Sequence, residues 1–343
     1  MTLYPRPLRE GSTIAITAVS SGLTSAHKAR FENVLNYLTQ RGYQVKVGEC
    51  LWVEQNGVSA SAHARARELM NFLLDDSIDV IAPPWGGELA IELLPLLDYD
   101  ALAQGRPKWF MGFSDISTLA VVLHAKLGWS TVHCANLMDL VASNTDPLLV
   151  QTLDCLHTAA GECFTQYSSL HHTRDWPAIT EDSAATIKPS LETRWRWLDP
   201  SEKHHTIEGR LIGGCWDTLQ HLFNTEFLAL KELRERSKEP LILFLENAEM
   251  TPFQLSRVLM AMQFRGVFEA IDALLVGRHY PTISAESSYD FDTFLRQQLA
   301  RYSIPTIVDM DIGHAPPNLT LVNGARCQIQ LSNGKGKITQ WLD

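Results

Sequence analysis

The chain has 343 residues, 45% of them hydrophobic and 20% charged, which is longer than one ordinary domain and rich enough to fill two cores. Its formal net charge of −10 argues against a nucleic-acid or anionic-membrane partner, since both need basic patches. No run approaches the ~20 apolar residues of a membrane span, and Met1-Thr2-Leu3-Tyr4-Pro5-Arg6-Pro7 has no apolar signal core, so a cytoplasmic protein is expected.

In chain order, Thr13 to Val19 reads as a buried first strand closed by the turn Ser20-Ser21-Gly22. A helix follows with Phe31, Val34, Leu35 and Leu38 on one face, ending at Gly42. Tyr43 to Val47 is a second strand, Ala60 to Leu74 a helix and Ile78 to Ala82 a short apolar strand. Pro83-Pro84-Trp85-Gly86-Gly87 then leads into a helix predicted from Glu88 to Leu97. Trp109-Phe110-Met111 is the next strand; Gly112 breaks it, Ser114 sits in the turn, and Asp115 is placed to cap a helix with Leu119, Val122, Leu123 and Leu127 on its apolar side. Ser130 to His133 is a further strand. Strands alternating with helices at this spacing predict a doubly wound, mostly parallel sheet, whose ligands bind at the carboxyl ends of its strands. Gly86-Gly87 and Ser114 both lie at such ends.

The stretch from Gly161 to Asp182 is polar and reads as a crossing between domains. Arg194-Trp195-Arg196-Trp197-Leu198 interrupts the polar region: its tryptophans either plug an apolar seam or form an aromatic wall for a substrate ring. The second domain opens with Ile207 to Gly214 and a helix from Trp216 to Phe223. Leu241 to Leu245 is a buried strand ending on Glu246, and Thr251-Pro252-Phe253-Gln254 starts a helix with a capping box and proline at its first position. Ala273 to Val276 leads to Gly277-Arg278-His279, and Thr306 to Asp309 leads to the loop Asp311-Ile312-Gly313-His314-Ala315-Pro316-Pro317. The tail reads as a β-meander: Leu319 to Val322, Arg326 to Leu331 and Lys337 to Trp341, turned at Asn323-Gly324 and Asn333-Gly334. The expected division is 1–165 for the N-terminal α/β domain, 166–205 for the crossing and substrate loop, and 206–343 for a β-rich α/β domain. The site is expected at their interface.

The strand-turn-helix around Ser114 has the form of a nucleophile elbow, with one glycine where the usual elbow has two. A serine hydroxyl is a weak nucleophile and needs a base, which in turn needs an orienting carboxylate. His314, in a loop stiffened by two prolines, and Glu246, at the end of a buried strand, are the candidates. The N–H groups of Asp115 and Gly87 are candidates for holding an oxyanion, with Gly86 and Cys215 as further substrate contacts. Arg210 and Arg278 are candidates for reading a substrate carboxylate. The cysteines Cys50, Cys134, Cys155, Cys163, Cys215 and Cys327 have neither metal-ligand nor disulfide-framework spacing and are expected to be free and buried. His171-His172 and His204-His205 are expected at the surface. No metal or organic cofactor is expected. Two rivals stand beside the serine hydrolase: a two-lobed binding protein without turnover, and a thiol hydrolase using Cys215 or Cys134, neither of which lies at an elbow.

Several stretches in order resemble the serine peptidase family of LD-carboxypeptidases and microcin C immunity proteins: Gly11 to Ile16, Gly86-Gly87 with Leu94 to Tyr99, Gly112-Phe113-Ser114-Asp115, Glu208 to Gly214, Leu243 to Glu246, and Gly313-His314. The resemblance implies a Ser114-His314-Glu246 triad between an N-terminal α/β domain and a C-terminal β-rich domain, usually in a homodimer. It also implies one of two substrates. LD-carboxypeptidases remove the terminal D-alanine of murein tetrapeptides. The immunity branch cleaves the amide joining an aminoacyl group to a modified nucleotide and carries an aromatic residue in the interdomain loop. Chain length and the pair Trp195 and Trp197 point to the immunity branch. Gly213-Gly214-Cys215-Trp216 departs from the family's usual Gly-Gly-Asn-Leu, and Asn247 stands where aspartate is common.

Overall fold

The computed structural model describes residues 2–52, 54–202, 206–279 and 289–343; the predicted surface pair His204-His205 lies outside them. The first domain alternates β1 (Thr13–Ile16), α1 (Lys28–Gln40), β2 (Gln44–Val47), α2 (Ala62–Leu74), β3 (Val80–Ile81), α3 (Tyr99–Gln104), β4 (Trp109–Gly112), α4 (Ile116–Leu127) and β5 (Val132–His133). Two short helices follow, α5 (Pro147–Val150) and α6 (Thr152–Cys155). The crossing holds β6 (Cys163–Tyr167), β7 (His171–His172), β8 (Leu191–Glu192) and β9 (Arg196–Trp197). The second domain contains β10 (Thr206–Cys215), α7 (Trp216–Leu219), α8 (Leu230–Ser237), β11 (Leu241–Glu246), α9 (Pro252–Phe264), β12 (Ala273–Gly277), α10 (Phe291–Leu299), β13 (Thr306–Met310), β14 (Leu321–Val322), β15 (Arg326–Ser332) and β16 (Lys335–Trp341).

Two sheets result. The first has the order β14-β5-β4-β3-β1-β2 and is parallel except for β14. The second, β6-β16-β15-β10-β11-β12-β13-β9, is parallel from β10 to β13 and antiparallel towards both edges. β11, Leu-Ile-Leu-Phe-Leu-Glu, is buried at every position, as a central parallel strand covered on both faces must be. Nine of the twelve α4 residues are buried because the helix packs on β4 and β5 of its own sheet and also on β10 and α7. That contact joins the domains. A Cβ on Gly214 would lie 2.5 Å from the Ser117 side chain, and the Cys215 N–H donates to Ser117 Oγ at 3.0 Å.

The predicted doubly wound N-terminal sheet and β-rich second domain are both present. Several local expectations change. The segment predicted as a helix from Glu88 is a 3₁₀ stretch, Ala90–Leu96, with Pro95 inside it, because proline cannot supply the N–H that an α-helix would need. β6 pairs with β16 and so belongs to the second sheet. The tail is a hairpin, not a meander: β15 and β16 pair around Asn333-Gly334, while β14 crosses over to β5. Asn323 and Gly324 form that crossover, with the Asn323 N–H on the Thr131 carbonyl and the Gly324 N–H on the Leu211 carbonyl. His172 is buried rather than exposed. All six cysteines are free, and only Cys163 is exposed. Among the described residues no helix is long and apolar enough to cross a membrane.

The junction at Gly214 has no room for a side chain. Gly214→Val is expected to destabilise the protein by ~1–3 kcal/mol through overpacking, read as a lower midpoint in urea denaturation. An equal midpoint would mean that α4 and β10 part without cost.

Candidate active site

The elbow is built from contacts that only small residues allow. Ser114 has φ 64°, a left-handed conformation that costs a non-glycine residue energy and lifts its side chain off the chain path. Gly112, at φ 135°, would place a Cβ 2.4 Å from Ile116 Cδ1 and 2.7 Å from Asn136 Oδ1. The Asn136 side-chain Oδ1 holds the turn by accepting the Phe113 N–H at 2.9 Å. Asp115 does not cap α4 as predicted. Its carboxylate turns inward and accepts Ser20 Oγ and the Ala90 N–H, each at 2.7 Å, and Thr118 Oγ1 at 3.1 Å. Burial pushes that carboxyl above its usual range, against these hydrogen bonds. The segments that carry Ser20 and Ala90 are thereby tied to the start of α4. A Cβ on Gly86 would lie 2.8 Å from the Asp115 nitrogen, so the bare glycine keeps that N–H open. Gly87, at φ 140°, is seated as tightly against Ser20 and Ser21.

The second domain supplies the rest. Glu246 ends β11 fully buried. His314 comes from the loop after β13, and its Nδ1 lies 2.7 Å from Glu246 Oε2 while its Nε2 lies 3.2 Å from Ser114 Oγ. A carboxylate only accepts, so Nδ1–H donates to Glu246 and Nε2 is left to accept the serine hydroxyl proton. Glycines make the close packing possible: a Cβ on Gly313 would fall 2.1 Å from Glu246 Oε2, and one on Gly277 would fall 2.9 Å from Glu246 Cβ. Burial alone would raise the Glu246 carboxyl, but the charge and hydrogen bond of His314 outweigh it and hold it below the usual range. Burial would likewise lower His314, and the charge and hydrogen bond of Glu246 outweigh that too, so its imidazole is raised. His133, near both, is pushed down to about 4 by burial and stays neutral.

Ser114 and His314 open onto a cavity of about 520 Å³ that also takes in Gly86, Gly87, Trp85, Phe113, Trp176 and Asp139. Trp176 stacks on Phe113 with centroids 5.8 Å apart and planes 19° apart. Neither predicted tryptophan faces this space. Trp195 is buried, donating its indole N–H to Asp311 Oδ2 at 2.8 Å; Trp197 lies in the edge strand β9 against β13. Cys215 is buried behind the pair Glu246 and His314 rather than in the cavity. Arg278 is buried in bonds to Asp311, Ala315 and Pro317, and Arg210 is engaged by Tyr4, Gly324, Glu239 and Asp343. Trp176 was missed among polar neighbours, although an aromatic followed by Pro177 in such a stretch was a usable signal.

Cys215, Glu246 and His314 bring one ligand-type atom each within 4.8 Å of one another. The trio does not suit a cation: both ring nitrogens of His314 are engaged, and burial keeps the Cys215 thiol protonated. Burial likewise raises the Cys134 thiol far above its usual value. Neither thiol is set up as a nucleophile. A hydroxyl, an imidazole and a carboxylate in hydrogen-bonded line, beside open backbone N–H groups, can carry out acyl transfer.

The LD-carboxypeptidase N-terminal domain family matches residues 14–134, and the LD-carboxypeptidase C-terminal domain family matches 208–329. The microcin C7 self-immunity protein MccF of Escherichia coli is 26% identical over 98% of this chain and 96% of its own. A protein of Vibrio cholerae named as a putative carboxypeptidase is also 26% identical, over 99% of each chain. The structure of MccF in complex with glutamyl sulfamoyl guanosine superposes with a TM-score of 0.83 at 24% identity, covering 99% of this chain and 100% of that one.

The raised His314 and lowered Glu246 give a signed prediction. With Glu246→Gln only burial remains of the two largest influences on His314, so its imidazole is expected to titrate below 6.5 in the variant and above it in the wild type. Histidine NMR signals followed against pH would show this. Equal titrations would mean that the two side chains are not paired in solution.

Proposed function

The chain belongs to the LD-carboxypeptidase family and is a serine-type carboxypeptidase, and from that premise we propose that Ser114, His314 and Glu246 carry out its hydrolysis on an aminoacyl-nucleotide type of amide. Ser114 Oγ attacks the amide carbon while His314 Nε2 takes its proton. Glu246 holds the ring with Nδ1–H towards itself and stabilises the imidazolium. The N–H groups of Asp115 and Gly87 receive the oxyanion of the tetrahedral intermediate. His314 then gives its proton to the leaving nitrogen, and water attacks the acyl-enzyme by the same route in reverse.

The observation that carries the substrate class is Trp176. Its ring is 40% exposed, lines the cavity that Ser114 opens onto, and lies nearly parallel to Phe113. An exposed aromatic face backed by a second ring suits a flat heterocycle. MccF, the relative solved with glutamyl sulfamoyl guanosine, holds a ligand of this class. The second reading is a murein-peptide carboxypeptidase, favoured by the equal similarity to a protein named as a carboxypeptidase. A peptide would use the same triad and leave Trp176 with little to stack on.

Mass-spectrometric hydrolysis of aspartyl sulfamoyl adenosine and of an L,D-tetrapeptide from murein tests both readings. Ser114→Ala is expected to lose about four to six orders of magnitude in kcat; near-full activity in a pure preparation would remove the triad. Trp176→Ala is expected to raise KM for the nucleotide compound about tenfold or more, because base stacking is worth ~1–3 kcal/mol, with Trp197→Ala leaving it unchanged. Cleavage of the tetrapeptide alone, indifferent to Trp176, would assign the protein to the second reading.

A further inference from the structure

Outside the reacting line, two buried and oppositely charged side chains hold the loop on which His314 rides. Arg278, at the end of β12, and Asp311, just after β13, are 3% and 0% exposed and lie 2.7 Å apart. The two nitrogens of the Arg278 fork divide the work. Nη1 donates to Asp311 Oδ1 at 2.7 Å, and Nη2 donates to the carbonyls of Ala315 at 2.8 Å and Pro317 at 3.2 Å. One guanidinium therefore pins the chain three residues before His314 and at one and three residues after it.

The same aspartate reaches the strap that crosses between the domains. Asp311 Oδ1 also accepts Ser169 Oγ at 2.5 Å, and Oδ2 accepts the Ser169 N–H at 3.0 Å and the Trp195 indole N–H at 2.8 Å. Ser169 and Trp195 are the two feet of the strap that carries Trp176. Between them the Thr173 N–H donates to the Pro316 carbonyl at 2.9 Å. A fully buried carboxylate is stable only when its charge and acceptor sites are taken up. Here four donors take them up, two from the strap's first foot, one from its second and one from Arg278.

We propose that Arg278 and Asp311 are positioning residues for His314, and that Asp311 fixes the proton-transfer loop and the Trp176 strap from a single carboxylate. The proposal rests on His314 being the base. Its physical content is tolerance: His314 must stay within hydrogen-bond reach of both Glu246 and Ser114, and a misplacement of about 1 Å can cost roughly a hundredfold in rate. The prolines of the loop limit bending, but its place relative to β11 is set by the Arg278 fork.

Arg278→Lys tests this, because it keeps the charge and removes the fork. The groups facing His314 are then unchanged: Glu246, Asp217 and Glu249 as the charges that raise it, with Asp139 and neutral His133 nearby. A fall in the His314 pKa would therefore report lost alignment with Glu246, not a changed field. The expected result is a lower His314 titration by NMR, an acid limb of kcat/KM moved to lower pH by the same amount, and kcat reduced about ten- to a hundredfold. Arg210→Lys, at an arginine bonded as heavily beside Leu241, at the opposite end of β11 from Glu246, is the control, expected to lower thermal stability without moving the His314 titration. A folded Arg278→Lys with wild-type titration and kcat would overturn the proposal.

Should Arg278→Lys fail to fold, Ser169→Ala combined with Trp195→Phe decides, since it removes one side-chain donor at each foot and keeps the ion pair. A lower His314 pKa with a raised KM for the nucleotide compound supports the shared mount; unchanged values overturn it. The NMR titration needs no substrate. A wild type that cleaves neither compound would thus count against the hydrolase reading while the titration still judges the mount.

Discussion

The structure depends on keeping the Glu246 carboxylate charged in a place without water. β11 is buried along its whole length, and its last residue delivers an ionisable group to the junction of the two domains. Burying an unpaired carboxylate would cost several kcal/mol. His314 relieves that cost with a hydrogen bond of 2.7 Å, and the two shifts are complementary, the acid lowered and the imidazole raised. The pairing has consequences for stability with pH. His314, raised in the folded protein, contributes stability that is complete below about 6.5 and is lost as pH rises through its folded value. Glu246, lowered, contributes stability present above about 4.5 and lost as pH falls through its folded value. The ion pair is best formed between those limits, whereas His314 is available as a base only above its folded value, once Nε2 has lost its proton.

The first domain answers that constraint by rigidity. Ser114 is held in a left-handed conformation by Gly112, Gly86, Asn136 and the inward carboxylate of Asp115. Strain of this kind persists only where the surroundings over-determine the turn. Asp115 is the clearest case: a residue suited to capping a helix gives up the cap to bond the Ser20 turn, Ala90 and Thr118 of α4. The Asp115 N–H, at the start of α4, is left open beside Gly86, where a developing negative charge can use it.

Much of this was legible in the sequence, for local reasons. Ser114 and His314 each follow a short apolar strand with glycine close by that marks a sharp turn, and Glu246 ends a third such strand, so their order proposes a triad. What was not legible depends on long-range placement. Leu321–Val322 looks like the first strand of a meander because Asn323-Gly324 looks like its hairpin turn; the chain instead uses that turn to pass from one sheet to the other. Trp195 and Trp197 stand out in a polar stretch as either a seam plug or an aromatic wall; Trp195 is the plug, because the glycine at 336 leaves a slot for its ring: a Cβ there would lie 1.9 Å from it. Nothing near Trp195 in sequence reveals that slot. Trp176 is placed by a strap whose feet meet an aspartate more than a hundred residues away.

The His314 loop and the Trp176 strap therefore share Asp311 but otherwise rest on different parts of the fold. The proposed reacting groups sit at strand ends and at turns whose geometry is fixed by missing side chains, and the His314 loop is held in addition by Arg278. The cavity wall is shared between the first domain, through Phe113 and Trp85, and the strap, through Trp176 and Pro177. The strap has little regular structure of its own, only the paired β7 and β8. Its middle is held by the first domain, where Arg30 donates to the carbonyls of Ser183 and Ala185 and Asn33 to that of Ser183. Its feet are held by the second, through Asp311. A segment anchored to both lobes by backbone carbonyls and one carboxylate can change its exposed side chains without disturbing the sheets beneath. In the proposed function, selection for a flat leaving group resides in such a segment while the triad stays with the strand ends and the His314 loop.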